Sequence, residues 1–219
     1  MSNLTEQLKA QADESAQKYP EDVKSVMNAA NEELAQSEIL SGTLKVGDQA
    51  PDFELTNHKG DQVKLSEQLK DGPVVLSFYR GGWCPYCNLE LKALQTKLPE
   101  IQELQAKLLA VSPEKPDNTL STFEKNELQF QVLSDSGNQA SRDFGLVFKM
   151  PPDLIDLYSN FNLNIDERNG DDSWELPLPA TYLIGQDGLV KYAFVNTDYK
   201  LRAEPDKVIQ ELRKLSTSS

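Results

Sequence analysis

Apolar positions along this 219-residue chain recur in two rhythms, and each predicts its own kind of element. Leu4, Leu8 and Ala12, then Val23, Val26, Met27, Ala30 and Leu34, fall at helical spacing on either side of Tyr19-Pro20. Residues 1–41 are therefore expected to form a helical extension. Two readings stand for it: an arm docked on the core or on a second subunit, or a solvated helical tail. From residue 42 the rhythm changes. Phe53-Glu54-Leu55 and Val63-Lys64-Leu65 alternate around Asn57-His58-Lys59-Gly60-Asp61, which predicts a β-hairpin. The turn Lys70-Asp71-Gly72-Pro73 launches an apolar run, Val74-Val75-Leu76-Ser77-Phe78-Tyr79, that has the character of a buried strand. A helix is expected from Asn88 onward, with Leu89, Leu91, Leu94, Leu98 and Ile101 as its apolar positions and Pro99 as a kink or stop.

Strand and helix then alternate. Residues 108–112 predict a strand, 118–128 a helix, 130–133 a strand and 138–144 a short helix, the alternation expected of parallel strands in an α/β sheet. Residues 147–174 break this order. They are polar and turn-rich, with Met150-Pro151-Pro152 and Asn169-Gly170-Asp171-Asp172, and predict an insertion or lid at about 147–176. Residues 180–184 and 189–194 flank Gly185-Gln186-Asp187-Gly188 as a second hairpin. An amphipathic helix over 205–215 and a frayed end at 217–219 complete the pattern.

Composition narrows the partners. The formal net charge is −13, with 22 basic and 35 acidic side chains, which argues against nucleic acid and against an anionic membrane surface. No stretch approaches the length of apolar sequence that a membrane span needs. Met1-Ser2-Asn3-Leu4-Thr5-Glu6 lacks a basic-then-apolar export pattern, so a reducing cytoplasm is the expected compartment.

Both cysteines of the chain fall in one window, Cys84-Pro85-Tyr86-Cys87, where the buried strand feeds the helix. A helix N-terminus has unpaired N–H groups and partial positive charge, and both favour a thiolate over a thiol. The thiolate is the nucleophile of sulfur chemistry. A structural disulfide across so short a loop adds little stability. Structural zinc wants four ligands, and the chain has no further cysteine and one histidine, His58. The window therefore predicts a redox-active dithiol with no metal and no cofactor. Cys84 at the exposed tip is the expected attacking thiol, and Cys87, one turn deeper, the resolving one.

Further motifs carry a family resemblance. Val46-Gly47-Asp48-Gln49-Ala50-Pro51-Asp52-Phe53, residues 75–87, and Pro179-Ala180-Thr181-Tyr182-Leu183-Ile184 with Asp187-Gly188 resemble the AhpC/TSA group of peroxiredoxins. The likeness covers roughly residues 43–215. It implies a thioredoxin-like fold over 42–219: a mixed central sheet with helices on both faces and an N-terminal β-hairpin, here preceded by the helical extension. Peroxiredoxins carry Phe-Tyr-Pro-x-x-x-Thr-x-x-Cys. In this chain Phe78-Tyr79 match, Arg80 replaces the proline, Cys84 the threonine, and Cys87 takes the peroxidatic position. Trp83-Cys84-Pro85-Tyr86-Cys87 equally resembles the thioredoxin active site, and Pro179 stands where thioredoxins keep a cis-proline.

The resemblance implies a thiol peroxidase that reduces hydrogen peroxide and organic hydroperoxides through a Cys84/Cys87 dithiol–disulfide cycle. Thioredoxin, glutaredoxin or glutathione would regenerate it, and relatives suggest a homodimer. Arg80 would supply a donor for the leaving oxygen if its side chain folds over the site, and otherwise is a solvated loop charge. Trp83 and Tyr86 either shield the dithiol, bind a partner or pack. Thr181 and Glu90 either support the site or pack. Two other readings compete: a thioredoxin-like oxidoreductase acting on protein disulfides, and a redox-sensing scaffold docking through its N-terminal arm.

Overall fold

The computed structural model describes residues 3–217; of the end expected to fray at 217–219, Thr217 closes the last helix and the rest lies outside the described residues. Two helices come first, α1 (Leu4–Lys18) and α2 (Glu21–Gln36), followed by a 3-10 turn (Ile39–Gly42). Asn3 and Glu6 cap α1 reciprocally: Glu6 N–H donates to Asn3 Oδ1 at 2.8 Å, and Asn3 N–H to Glu6 Oε2 at 3.3 Å. The predicted hairpin forms as β1 (Glu54–Asn57) and β2 (Gln62–Lys64), antiparallel, with a short α3 (Leu65–Gln68) after it.

The site-bearing unit is β3 (Val74–Phe78), α4 (Pro85–Glu103) and β4 (Lys107–Ser112). α5 (Pro116–Lys125), β5 (Gln131–Ser134) and α6 (Gln139–Asp143) extend it. The stretch expected as an insertion follows as β6 (Val147–Lys149), α7 (Pro152–Asn160), α8 (Ile165–Asn169) and β7 (Glu175–Pro177). The chain ends with β8 (Ala180–Ile184), β9 (Val190–Val195) and α9 (Pro205–Thr217).

Seven strands form one mixed sheet in the order β2-β1-β5-β4-β3-β8-β9. β3, β4 and β5 run parallel in its middle, while β1, β8 and β9 pair antiparallel outside them. The strand period of two divides the core between the faces. Val75, Leu108, Ala110, Val132 and Leu183 face α4 and α9. Val74, Leu76, Phe78, Leu109, Val111 and Leu133 face the opposite side with Leu65, Ala140 and Phe144. Helices therefore cover both faces, as the resemblance implies for a thioredoxin-like fold.

One expectation needs correction. Of the two readings of Pro99, the stop is ruled out, since α4 continues to Glu103. Proline removes one helical N–H donor, yet Leu98 and Ile101 on either side of it are buried, so packing outweighs the local loss. Residues 147–174, read from sequence as an insertion or lid, carry regular structure within their polar, turn-rich sequence. β6 pairs with β7, and α7 lays Leu154 and Tyr158 into a small apolar cluster with Met150, Ile165 and Leu176. The sequence signal was hidden because each of these elements is short.

The N-terminal helices lie on this same chain. Leu4 and Leu8 enter the cluster formed by α4 and α9, and Met27 and Ala30 of α2 pack against the insertion. Leu8 is buried, so Leu8→Ala is expected to cost about 2–5 kcal/mol of unfolding free energy in a urea titration, far more than an exposed tail residue would.

Candidate active site

β3 and β4 are parallel, so the loops leaving them emerge at one edge of the sheet. Their meeting there builds the site. After Tyr79 the chain runs through Arg80-Gly81-Gly82-Trp83, and Cys84 becomes the N-cap of α4 with Pro85 at its first position. Gly82 is required by space: a Cβ there would lie 2.1 Å from Thr122 Oγ1. Its N–H donates to Glu114 Oε2 at 2.9 Å. Glu114 belongs to the loop after β4, is fully buried, and meets Arg168 Nη1 from α8 at 3.4 Å. Burial pushes the Glu114 carboxyl up, against the opposing pull of Gly82 and Arg168. Asn88 closes the other side, donating to the Gly82 and Cys84 carbonyls at 2.9 and 3.0 Å.

Both thiols are reduced and buried. Cys84 is 1% exposed, which corrects the expected exposed tip. Elements outside the motif cover it: Ala12, Ala16 and Tyr19 from the N-terminal region, Phe161 from the insertion and Tyr199 wall a cavity of about 740 Å³ that Cys84 lines. Cys87 is not in that lining and faces the core.

Two buried guanidiniums bracket the pair. Arg80 is not a solvated loop charge; it is 2% exposed. Its Nη2 donates to the Tyr158 hydroxyl at 2.9 Å, and its guanidinium lies 4.8 Å from the Trp83 ring centre and 4.5 Å from that of Tyr199. Among the described residues no carboxylate pairs with it, and its Nε has no hydrogen-bond partner. Arg202, from the loop after β9, donates through Nη2 to Cys87 Sγ at 3.3 Å and through Nε to Glu90 Oε2 at 2.6 Å. Thr181 Oγ1 donates to the other Glu90 oxygen at 3.2 Å.

The two thiols take opposite shifts. Burial alone would push Cys84 up, but the Cys87 thiol as hydrogen-bond donor, the Arg80 and Arg202 guanidiniums and the Cys87 N–H bring it down to about 5. Cys87 moves the other way, raised by burial and by the neighbouring Cys84. Glu90 is pushed up to about 7, chiefly by burial, which the Arg202 guanidinium only partly offsets.

Of the residues singled out from sequence, the structure brings Cys84, Cys87, Arg80 and Trp83 together. Thr181 joins through Glu90. Pro179 lines an adjacent cavity of about 380 Å³ with Arg80 and Tyr199, and no cis peptide bond is present among the described residues. Tyr86 packs edge-on against Tyr199 at 5.6 Å. His58 stacks on Phe123, and no metal-ligating cluster is found among the described residues. Sequence reasoning missed Glu114, Arg202 and Tyr158. Glu114 had a faint signal, an acidic residue just past the end of an apolar strand, whereas the other two come from an irregular loop and from the insertion.

Comparison with known proteins agrees with this architecture. Residues 46–193 match the model of the AhpC/TSA family. Peroxiredoxin Q, chloroplastic, of Oryza sativa subsp. japonica is 26% identical over 183 residues, covering 84% of this chain and 71% of that protein. Peroxiredoxin Bcp of Escherichia coli is 32% identical over 103 residues, 47% of this chain and 65% of that one. Peroxidoxin BcpB from Mycobacterium tuberculosis superposes with a TM-score of 0.62 at 24% identity, covering 78% of this chain and 98% of that chain, a likeness of fold.

The charge arrangement has a direct readout. With Cys87→Ser leaving a single thiol and keeping a donor, iodoacetamide alkylation of Cys84 should rise through a midpoint below that of an ordinary cysteine. An ordinary cysteine would rise near ~8.5. Arg80→Met should move the midpoint upward; an unmoved midpoint would remove the guanidinium from the account.

Proposed function

The chain belongs to the AhpC/TSA family and is a thiol-dependent peroxidase, and we propose that Cys84 meets the hydroperoxide while Cys87 resolves the product. The observation that carries this assignment is the position of Cys84 on the cavity wall beside Arg80, a buried guanidinium that no carboxylate neutralises. The Cys84 thiolate attacks the outer peroxide oxygen. An S–O bond forms, the O–O bond breaks, and the departing oxygen takes a proton to leave as water or an alcohol. Negative charge grows on that oxygen in the transition state. A donor already fixed and desolvated stabilises it without reorganising, which is the role proposed for Arg80.

Cys84 is now a sulfenic acid and carries no charge. The neighbouring thiolate that had raised Cys87 is gone, and Arg202, 3.3 Å from the Cys87 sulfur, favours its ionisation. Cys87 attacks the Cys84 sulfur, the S–S bond forms, and the sulfenic oxygen leaves as water. Two electrons from an external thiol restore the dithiol by exchange. The cycle calls for a reducing compartment, by this proposal the cytoplasm. The burial of Cys84 weighs against a general protein-disulfide oxidoreductase, whose substrate would have to reach a sulfur lying beneath α1.

Stopped-flow oxidation of the reduced protein by hydrogen peroxide tests the assignment. Cys87→Ser should accumulate a sulfenic acid on Cys84, trapped by dimedone, and Cys84→Ser should lose peroxide reactivity. Arg80→Met should slow oxidation by about 10²–10³. Trapping on Cys87 instead would reverse the two roles, and thiol loss no faster than free cysteine would end the peroxidase reading.

A further inference from the structure

The chain holds a second cavity that the sulfur chemistry does not use. It measures about 380 Å³, within the ~300–1,000 Å³ range of small-molecule sites. Arg80, Tyr158, Tyr199 and Met27 line both this cavity and the one that Cys84 lines, so they form the partition between the two. Cys84 itself is not in the second lining. A molecule seated there lies behind the guanidinium and away from the sulfur.

The walls away from the partition are largely apolar. α2 contributes Ala30 and Leu34, β6 contributes Val147 and Phe148, and Leu154 and Leu178 join them. Glu33 and Lys149 also line the cavity but are exposed, which leaves Arg80 as its buried charge. Arg80 is only partly satisfied. Its guanidinium lies against the Trp83 and Tyr199 rings, Nη2 donates to the Tyr158 hydroxyl, and Nε has no partner. Its anionic complement, Cys84, exists only while that thiol is ionised. A buried cation gains from a neighbouring anion, and an apolar chamber beside it selects an anion with an apolar body.

We propose that the second cavity binds an aliphatic carboxylate of medium chain length, its head group on Arg80 and its chain along Leu34, Phe148 and Leu154, and that binding withdraws the guanidinium from Cys84. The occupant is a regulatory ligand and undergoes no reaction. Two effects act in the same direction. The carboxylate takes donors that otherwise serve the thiolate, and its negative charge opposes a second one nearby. Cys84 then keeps its proton to higher pH, and the fraction present as nucleophile falls. The consequence for peroxide turnover rests on the assignment of Cys84 above, whereas the site itself rests on Arg80 and the lining alone.

Isothermal titration calorimetry on the reduced full-length protein should show octanoate, and its analogue octanesulfonate, at one saturable site. Octylamine and octanol, which carry no anion, should bind roughly tenfold or more weakly, and Arg80→Met should erase that preference. Alkylation of Cys84 by iodoacetamide in Cys87→Ser gives a readout independent of peroxide, with octanesulfonate as the ligand because it stays charged across the titration. Saturating ligand should raise the midpoint by roughly one pH unit and leave the high-pH plateau unchanged. Ala30→Phe, which fills the cavity from α2, should abolish the binding and the shift while keeping the ligand-free midpoint; Leu34→Phe replaces it should that variant not fold. Equal binding of anionic, neutral and cationic probes, an unmoved midpoint, a lowered plateau, or a response that survives the filled cavity would each overturn the proposal. A midpoint shift in a protein that does not react with peroxide would support the site and remove the peroxidase assignment alone.

Discussion

Placing a thiolate inside a protein is expensive unless opposite charge or hydrogen-bond donors replace the water it loses. Here that replacement comes from the Cys87 thiol as donor and from two guanidiniums buried with it. Arg80 has no carboxylate to neutralise it, so the negative charge on Cys84 is its natural complement; Arg202 divides its donors between Cys87 and Glu90. The asymmetry matters. An arginine already saturated by a carboxylate offers less to a neighbouring sulfur, and the arginine left open is the one on the cavity side. The two thiols, a single helical turn apart, take opposite shifts because Cys87 keeps its proton and donates to Cys84, while both guanidiniums pull both thiols down.

The fold supplies these charges from distant parts of the chain. Parallel β3 and β4 deliver the loops of Arg80 and Glu114 to one edge of the sheet, and the loop after β9 brings Arg202 across to α4. Glu114 then ties the glycine-rich approach to Cys84 to the insertion through Arg168. Little of this depends on the dithiol window itself, which contributes the sulfurs and the helix start.

Much of the framework was legible from the pattern of residues. The hairpins, the buried strand before Cys84 and the alternation after it are local signals with local causes, and they reappear in the sheet. What was not legible was tertiary. Nothing in the residues around Cys84 says that α1 and Phe161 will cover it, so the sulfur was expected at an exposed tip. Arg80 in sequence is one charge in a loop; its burial depends on Trp83, Tyr158 and Tyr199, which converge from three separate segments. Arg202 lies in a stretch with no periodicity, and only the return of that stretch toward Glu90 gives it meaning. Pro99 shows the converse, a strong local signal overridden by the apolar residues flanking it.

The insertion between β6 and β7 touches the reactive loop at two points, through Tyr158 on Arg80 and through Arg168 on Glu114. Lifting it would strand both a buried cation and a buried anion at once. Such a segment is tied to the reactive loop at both of these points. The sulfur chemistry at one end of α4 is thereby mechanically coupled to the packing of a small helical cluster that contributes no sulfur of its own.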